Sequence, residues 1–256
     1  MQETINPYRV GAGLILRKLK WDLYYESHSS RHKLTKARNK FCGQKAIIIC
    51  NGPSLNKVDF DKLSKTFCIG LNKINLLFDK TSFRPDCITS VNPYVIEQNA
   101  DFYNDTNIDL YLDSYARRAG LVRPRKNVTY MFSGPKGFAR DCSASIYQGH
   151  TVTYIGLQLA YHLGFEQVGL IGCDHNFASK GPANELVNTG AIDHNHFDPR
   201  YFANLPWQLP DLAESEASYA MAHRVFHENN RVVYNCTDGG NLELLPRKTL
   251  DDFLRA

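Results

Sequence analysis

The sequence predicts an α/β fold: a Rossmann-like parallel sheet with helices on both faces and an irregular lid near residues 176–210. Three observations carry this. Short continuous apolar runs such as Lys45–Cys50 and Gln167–Ile171 read as strands buried on both faces, which is the habit of parallel sheets. These runs alternate with stretches of helical periodicity, as βα units do. The polar residues cluster just after the strands, where open α/β sheets bind ligands.

The elements follow in order. Lys45–Cys50 is the first strand and runs into Asn51-Gly52-Pro53-Ser54-Leu55. Thr66–Leu71 and Cys87–Val91 are the second and third strands, with weaker strands at Asp109–Leu112 and Val128–Met131. Thr151–Leu163 has apolar residues at helical spacing and ends at Gly164, a residue suited to the C′ position. Gln167–Ile171 is the next strand and leads into Gly172-Cys173-Asp174. From 175 to about 210 no periodicity appears, and so long an irregular stretch marks a functional lid or disorder. Leu212–Glu228 is a helix, and Arg231–Asn235 is the last strand before Cys236-Thr237-Asp238-Gly239-Gly240.

Composition sets the limits. At 256 residues one domain is expected, here a basic arm over 1–40 and a catalytic unit over 41–256 that includes the lid. Hydrophobic residues make up 43% and charged residues 22%, so a large core forms without staples. The seven cysteines are scattered with no CxxC pair, which reads as buried thiols in a reducing compartment. The Asn104, Asn127 and Asn235 sequons then carry no meaning. No apolar run reaches the ~20 residues that span a bilayer, and Val10–Leu16 lacks a cleavage site after it.

The net charge of +4 is concentrated near the start. Arg17, Lys18, Lys20, Arg31, Lys33, Lys36, Arg38, Lys40 and Lys45 interleave there with Leu14, Ile15, Leu19, Trp21, Leu23 and Tyr24. Two readings stand: a basic amphipathic helix on an anionic membrane surface, or a helix packed on the domain with a solvated basic face. The rest of the chain shows no basic stripe, so nucleic acid is not an expected partner. The expected location is the cytoplasm, with peripheral contact at the inner membrane. Homo-oligomerisation stays open.

The candidate site gathers residues that follow strands. Gly52 permits a tight turn and close approach of backbone to a ligand. Pro53 and Ser54 open a short helix whose N–H groups suit an anion, and Asn51 offers a donor and an acceptor to a base or ribose. A plain strand-to-helix turn also explains the Gly and Pro. The motif is neither a P-loop nor GxGxxG.

The segment Ile48–Leu55 resembles the opening of bacterial sialyltransferases of glycosyltransferase family 42. Cys68-Ile69-Gly70-Leu71-Asn72, Asn92-Pro93 with Glu97-Gln98, and Thr151 through Asp174 resemble further segments of that family. The Gly-Pro-Ser-Leu start is shared with a broader group that includes hydroxymethylpterin diphosphokinase-like proteins and flagellin glycosylation proteins of the motility-associated type. The resemblance spans roughly residues 45–240. It implies a GT-A-like variant of the parallel sheet and an inverting transfer from a CMP-sugar, without a metal, to a cell-surface glycan such as a lipooligosaccharide in lipopolysaccharide biosynthesis. Asn51, Gly52, Ser54 and Asn72 would hold the nucleotide, and Asn92 the ribose or sugar. Asp174 would contact the nucleotide or order the lid. A lid histidine would be the base: His196, or else His194.

The chain departs from that pattern where lid tyrosines support the leaving phosphate. Asn176 and Phe177 stand near the first such position, which leaves Lys180, Arg200, Tyr201 or the lid histidines for the phosphate. Thr151 and Thr153 flank the place of the family's helix-start serine. Thr237 and Asp238 close the site after the last strand, Asp238 contacting the base or capping the turn. Other readings are weighed beside these. Asp193, His194 and His196 with His175 would form a metal cluster. His162 is a core residue, and His223 and His227 pack on a late helix. A diphosphokinase-like enzyme moving pyrophosphate from ATP to a small alcohol such as a pterin would need Mg²⁺ and several carboxylates. A non-catalytic nucleotide-binding scaffold is the third reading.

Overall fold

The computed structural model describes residues 7–178 and 181–255. Two helices come first, α1 (Pro7–Asp22) and α2 (Tyr25–Ala37). The strands β1 (Lys45–Ile49), β2 (Phe67–Leu71), β3 (Cys87–Ser90), β4 (Asp109–Asp113) and β5 (Val128–Met131) follow. Short helices α3 (Pro93–Gln98), α4 (Ala100–Asp105) and α5 (Tyr115–Arg118) sit between them, with 3₁₀ turns over Pro53–Lys57, Phe60–Leu63 and Ile74–Leu77. A small parallel pair, β6 (Ser133–Gly134) and β7 (Ile146–Tyr147), precedes α6 (Val152–Leu163) and β8 (Gln167–Ile171). The lid segment holds β9 (Leu186–Asn188) and β10 (Pro206–Gln208). The chain closes with α7 (Leu212–His227), β11 (Val232–Asn235) and α8 (Leu250–Arg255).

Seven strands form one sheet in the order β11-β8-β1-β2-β3-β4-β5, and every pairing is parallel. Alternation along β1 sends Ala46 and Ile48 to the face covered by α2, α6 and α7. It sends Ile47 and Ile49 to the face covered by the 3₁₀ turns, α3–α5 and the lid aromatics. From β1 the order runs one way to β5, and it returns on the other side as β8 and β11. The switch point therefore lies between β1 and β8, where a ligand crevice is expected.

Two expectations change. The lid is not wholly irregular: β9 and β10 pair antiparallel, and Phe197, Tyr201, Phe202, Trp207 and Leu209 are buried in the core. Strands of three residues are too short to show alternation. The second concerns the basic segment, which over residues 21–34 packs on the domain. β5 is an edge strand, and its outward groups need partners. Tyr130 N–H donates to Ser30 Oγ (2.9 Å), and Lys33 Nζ donates to Val128 O (2.7 Å). Leu34 is buried against the sheet, and Trp21 stacks on Tyr24 and meets Tyr130 edge-on. Among the described residues no helix is long and apolar enough to cross a membrane.

Candidate active site

A cleft opens at the carboxyl ends of β1, β2 and β8. Its enclosed part holds about 150 Å³, and it widens to about 740 Å³ where the open mouth is included. Asn51, Gly52 and Asn72 line its floor. Thr151 and Thr153 line one wall, His175 and Asn176 the loop after β8, and His196 and Tyr201 the lid side.

The turn after β1 is built by its own neighbours. Gly52 N–H donates to Gly172 O (2.8 Å), and a Cβ on Gly52 would lie 1.9 Å from Asp174 Oδ2. Glycine is required here because the β8 loop comes so close, not because a ligand does. The anion at the start of the Pro53–Lys57 turn is also internal. Ser54 Oγ donates to Asp174 Oδ2 (2.7 Å), and Ser54 N–H donates to Asp174 Oδ1 (3.2 Å). That carboxylate occupies the place where a ligand anion was expected. Pro53 and Ser54 do not line the cleft.

Asn51 is different. It is buried, and its Oδ1 has no hydrogen-bond partner among the described residues. A buried amide acceptor left unpaired costs about 1–3 kcal/mol, which a ligand donor would recover if the Asn51 side chain turned its Oδ1 into the cleft. Its backbone O meanwhile accepts from Phe197 N (3.0 Å), and Asn56 Nδ2 donates to Phe197 O (2.9 Å), so the lid is stitched to this turn. Asn72 sits at a left-handed φ of 51° beside it, and Ser90 Oγ donates to its Oδ1 (3.1 Å).

The lid histidines part company. His194 is exposed and lies outside the cleft, whereas His196 lines it. His196 Nδ1 is 2.8 Å from Asp193 Oδ2, and its ring stacks on Tyr201 with centroids 4.0 Å apart and 4° between planes. Phe202 and Trp207 meet the same ring edge-on. Burial opposes charge on Asp193, but hydrogen bonds from His196 and the Asn195 amide hold its carboxyl below the usual range. With Nδ1 engaged by a carboxylate, Nε2 is the nitrogen without a hydrogen bond among the described residues, as in a carboxylate–histidine pair that fixes tautomer and ring orientation.

Lys73, buried just after β2, clamps this arrangement. Its Nζ donates to Tyr201 O (2.6 Å) and to Gln98 Oε1 (2.7 Å), and Gln98 Nε2 donates to Pro206 O (3.0 Å). Burial pushes its ammonium down to about 8, against the pull of Asp193. Residues 193–208 are therefore built into the fold rather than left for a donor to order.

Several expected residues lie elsewhere. Asn92 Oδ1 caps α3 by accepting from Tyr94 N (2.9 Å). Thr237 Oγ1 accepts from Cys173 N (3.0 Å) and is spent on joining β8 to the β11 turn. Asp238 is exposed and pairs with Lys57 at the surface. Of the groups expected to hold a leaving phosphate, Arg200 is turned to Asp198 and Asp79, Tyr201 is stacked under His196, and Lys180 lies outside the described residues. Among the described residues no three His, Cys, Asp or Glu side chains are grouped to hold a metal, so the weighed Asp193/His194/His196/His175 cluster is not formed. His162 is buried, as expected, with Nε2 2.9 Å from Leu34 O.

Sequence reasoning missed His150 and Tyr219. His150 lines the cleft at a left-handed φ of 59°, next to the α6 cap Thr151, and stands 3.7 Å from Asp211. Its place just before a capped helix was the available signal. Tyr219 reaches the cleft from α7, and no local pattern marks it.

The family described as 6-hydroxymethylpterin diphosphokinase MptE-like matches residues 23–180, more than half of the chain. The chain belongs to the MptE-like family. The match begins between α1 and α2 and includes the turn after β1, the α6 wall and the loop after β8. Among solved structures, the MAf glycosyltransferase from Magnetospirillum magneticum AMB-1 is similar in fold, with a TM-score of 0.51 and 18% identity. The likeness covers 88% of this chain and 39% of that one, so the MptE-like chain spans about two-fifths of that glycosyltransferase's length. No curated protein matches the chain.

Proposed function

We propose that the chain is an inverting glycosyltransferase that moves an acidic sugar, sialic acid or a similar nonulosonic acid, from a CMP-sugar to a glycan. The observation that carries this reading is the pairing of two groups in one cleft: the unpartnered Asn51 Oδ1 at the switch point and the Asp193-steered His196 across from it. The first asks for a donor of the kind a cytosine amine supplies. The second is a base held for an acceptor hydroxyl. The similar fold of a glycosyltransferase supports the class, and the residues resembling family 42 support the donor.

In this mechanism the acceptor hydroxyl attacks the anomeric carbon on the face opposite the nucleotide. The bond to the CMP phosphate breaks as the new glycosidic bond forms, and the hydroxyl proton passes to His196 Nε2. Asp193 stabilises the imidazolium that results, and such base catalysis typically contributes 10²- to 10⁴-fold. The departing phosphate has the first turn of α6, with His150 and His175 beside it, within the same walls. An N-terminal helix turn favours negative charge.

The family description favours a second reading, pyrophosphate transfer from ATP. Its Mg²⁺ would need carboxylates facing the cleft. Asp174 is taken by Ser54, and the described residues offer no grouped ligands. Thermal shift separates the two. CMP in the presence of EDTA, at about 100 times its dissociation constant, should stabilise the fold by about 2.7 kcal/mol. A shift with ATP and Mg²⁺ alone, and none with any cytidine nucleotide, would overturn the first reading.

A further inference from the structure

Helix α1 meets the domain on one side and carries an apolar stripe on the other. Trp21 turns inward against Tyr24 and Tyr130, and Arg17 and Lys18 lie over the Phe132 ring. On the opposite side Ile15 (62% exposed), Leu16 (58%), Leu19 (57%) and Leu23 (86%) face solvent. At 100° per residue these positions, with Ala12 between them, fall in one stripe about 100° wide. A helix that only packs on its own domain has no use for such a stripe on its outer side.

One flank of the stripe is basic. Arg9, Arg17 and Lys20 are exposed along one side of it. Over residues 7–40 nine Lys and Arg stand against two acids. Both acids are already ion-paired, Asp22 with Lys18 and Arg31, and Glu26 with Arg117. This segment offers positive charge with no exposed carboxylate.

The direction of α1 adds a third observation. Trp21 meets Tyr130 within β5, while Arg17 NH2 donates to Ser133 O, beyond the end of that strand (3.2 Å). The helix thus runs antiparallel to β5. Its first half, about 12 Å at 1.5 Å per residue, projects past the carboxyl end of the sheet. Among the described residues nothing lies within 4 Å of where a side chain would sit at Gly11 or Gly13. The cleft opens at that same end of the sheet.

We infer that α1 lies in the plane of an anionic membrane surface, with its outer stripe among the lipid headgroups, so that the membrane faces the end of the sheet where the cleft opens. The helix is about 24 Å long, too short to span the ~30 Å hydrocarbon core, and the stripe covers one side only. Negative headgroups complement exposed Lys20 and the basic excess of residues 7–40, each such contact being worth about five-fold in binding. A second copy of the chain, being equally basic here, would bring like charges together. The inference rests on α1 alone and stands whatever the cleft binds.

Co-sedimentation of the full chain with vesicles tests it. Vesicles containing phosphatidylglycerol should pellet the protein, pure phosphatidylcholine should pellet much less, and added salt should release it. The double variant Leu16→Glu, Leu19→Glu changes exposed side chains only. It should keep the wild-type far-UV spectrum and melting temperature yet bind anionic vesicles at least ~10-fold more weakly. Equal pelleting of variant and wild type, or a wild type that stays in the supernatant with anionic lipid, overturns the inference. So does sedimentation equilibrium showing a lipid-free wild-type dimer that the double variant abolishes, since the stripe would then cover a second copy.

Discussion

At the scale of single residues, the cleft separates side chains that serve the fold from those left for a ligand. Asn51 gives the sharpest case. Its backbone O holds the lid through Phe197, but its Oδ1 holds nothing among the described residues. Asn51→Ala should therefore leave the melting temperature of the unliganded protein unchanged or slightly raised, because it removes a buried unsatisfied acceptor. The same variant should weaken nucleotide binding by about 1–3 kcal/mol in isothermal titration. Lowered stability with unchanged affinity would make Asn51 a structural residue. His196→Ala should lower turnover at least ~10²-fold with donor affinity nearly unchanged, whereas exposed His194→Ala should stay near wild type. The choice of His196 over His194 was open to sequence reasoning because Phe197 and Tyr201 follow it. The role of Asp174 was not, because the sequence cannot show that the strand-end acid folds back on Ser54 of a neighbouring loop.

At the scale of elements, the buried half of the lid has its own acid sensitivity. Burial works against charge on Asp198, yet hydrogen bonds from Arg200 and the Lys80 ammonium hold its carboxyl at about 2. A folded-state value below the ordinary 3.8 means that the unfolded chain binds the proton more readily. The stability from Asp198 is thus fully present above pH ~4 and is lost as the pH falls toward ~2. Asp198→Asn should lower the melting temperature at pH 7, and the gap from wild type should narrow across that acid window. A gap that stays constant from pH 7 to pH 2 would assign the loss to packing instead. The main strands and α6 were legible within a residue or so, because apolar runs and helical spacing are local signals. The β9–β10 pair and the burial of 193–208 were not, since Lys73 and Gln98, which fasten them, lie about a hundred residues away.

At the scale of the whole molecule, the parallel sheet brings its own problem at β5, and α2 answers it. The sequence shows the basic residues of 1–40 but not their use. Lys33 looks like surface charge until its Nζ is seen on the carbonyls of Val128, Lys126 and Arg125. Removing residues 1–40 would free that edge and strip Leu34 from the core and Trp21 from Tyr130. Losing one buried Leu costs about 2–5 kcal/mol and one buried Trp about 3–5 kcal/mol. Their sum approaches or exceeds half of the 5–15 kcal/mol that holds a domain together, and the bared strand edge is a template for aggregation. The truncated chain should therefore be insoluble or lack a cooperative melt. Leu34→Ala alone should stay folded and lose about 2–5 kcal/mol in denaturant unfolding. A truncated chain that melts like wild type would show that α2 merely rests on β5, and residues 41–256 would then be the folding unit.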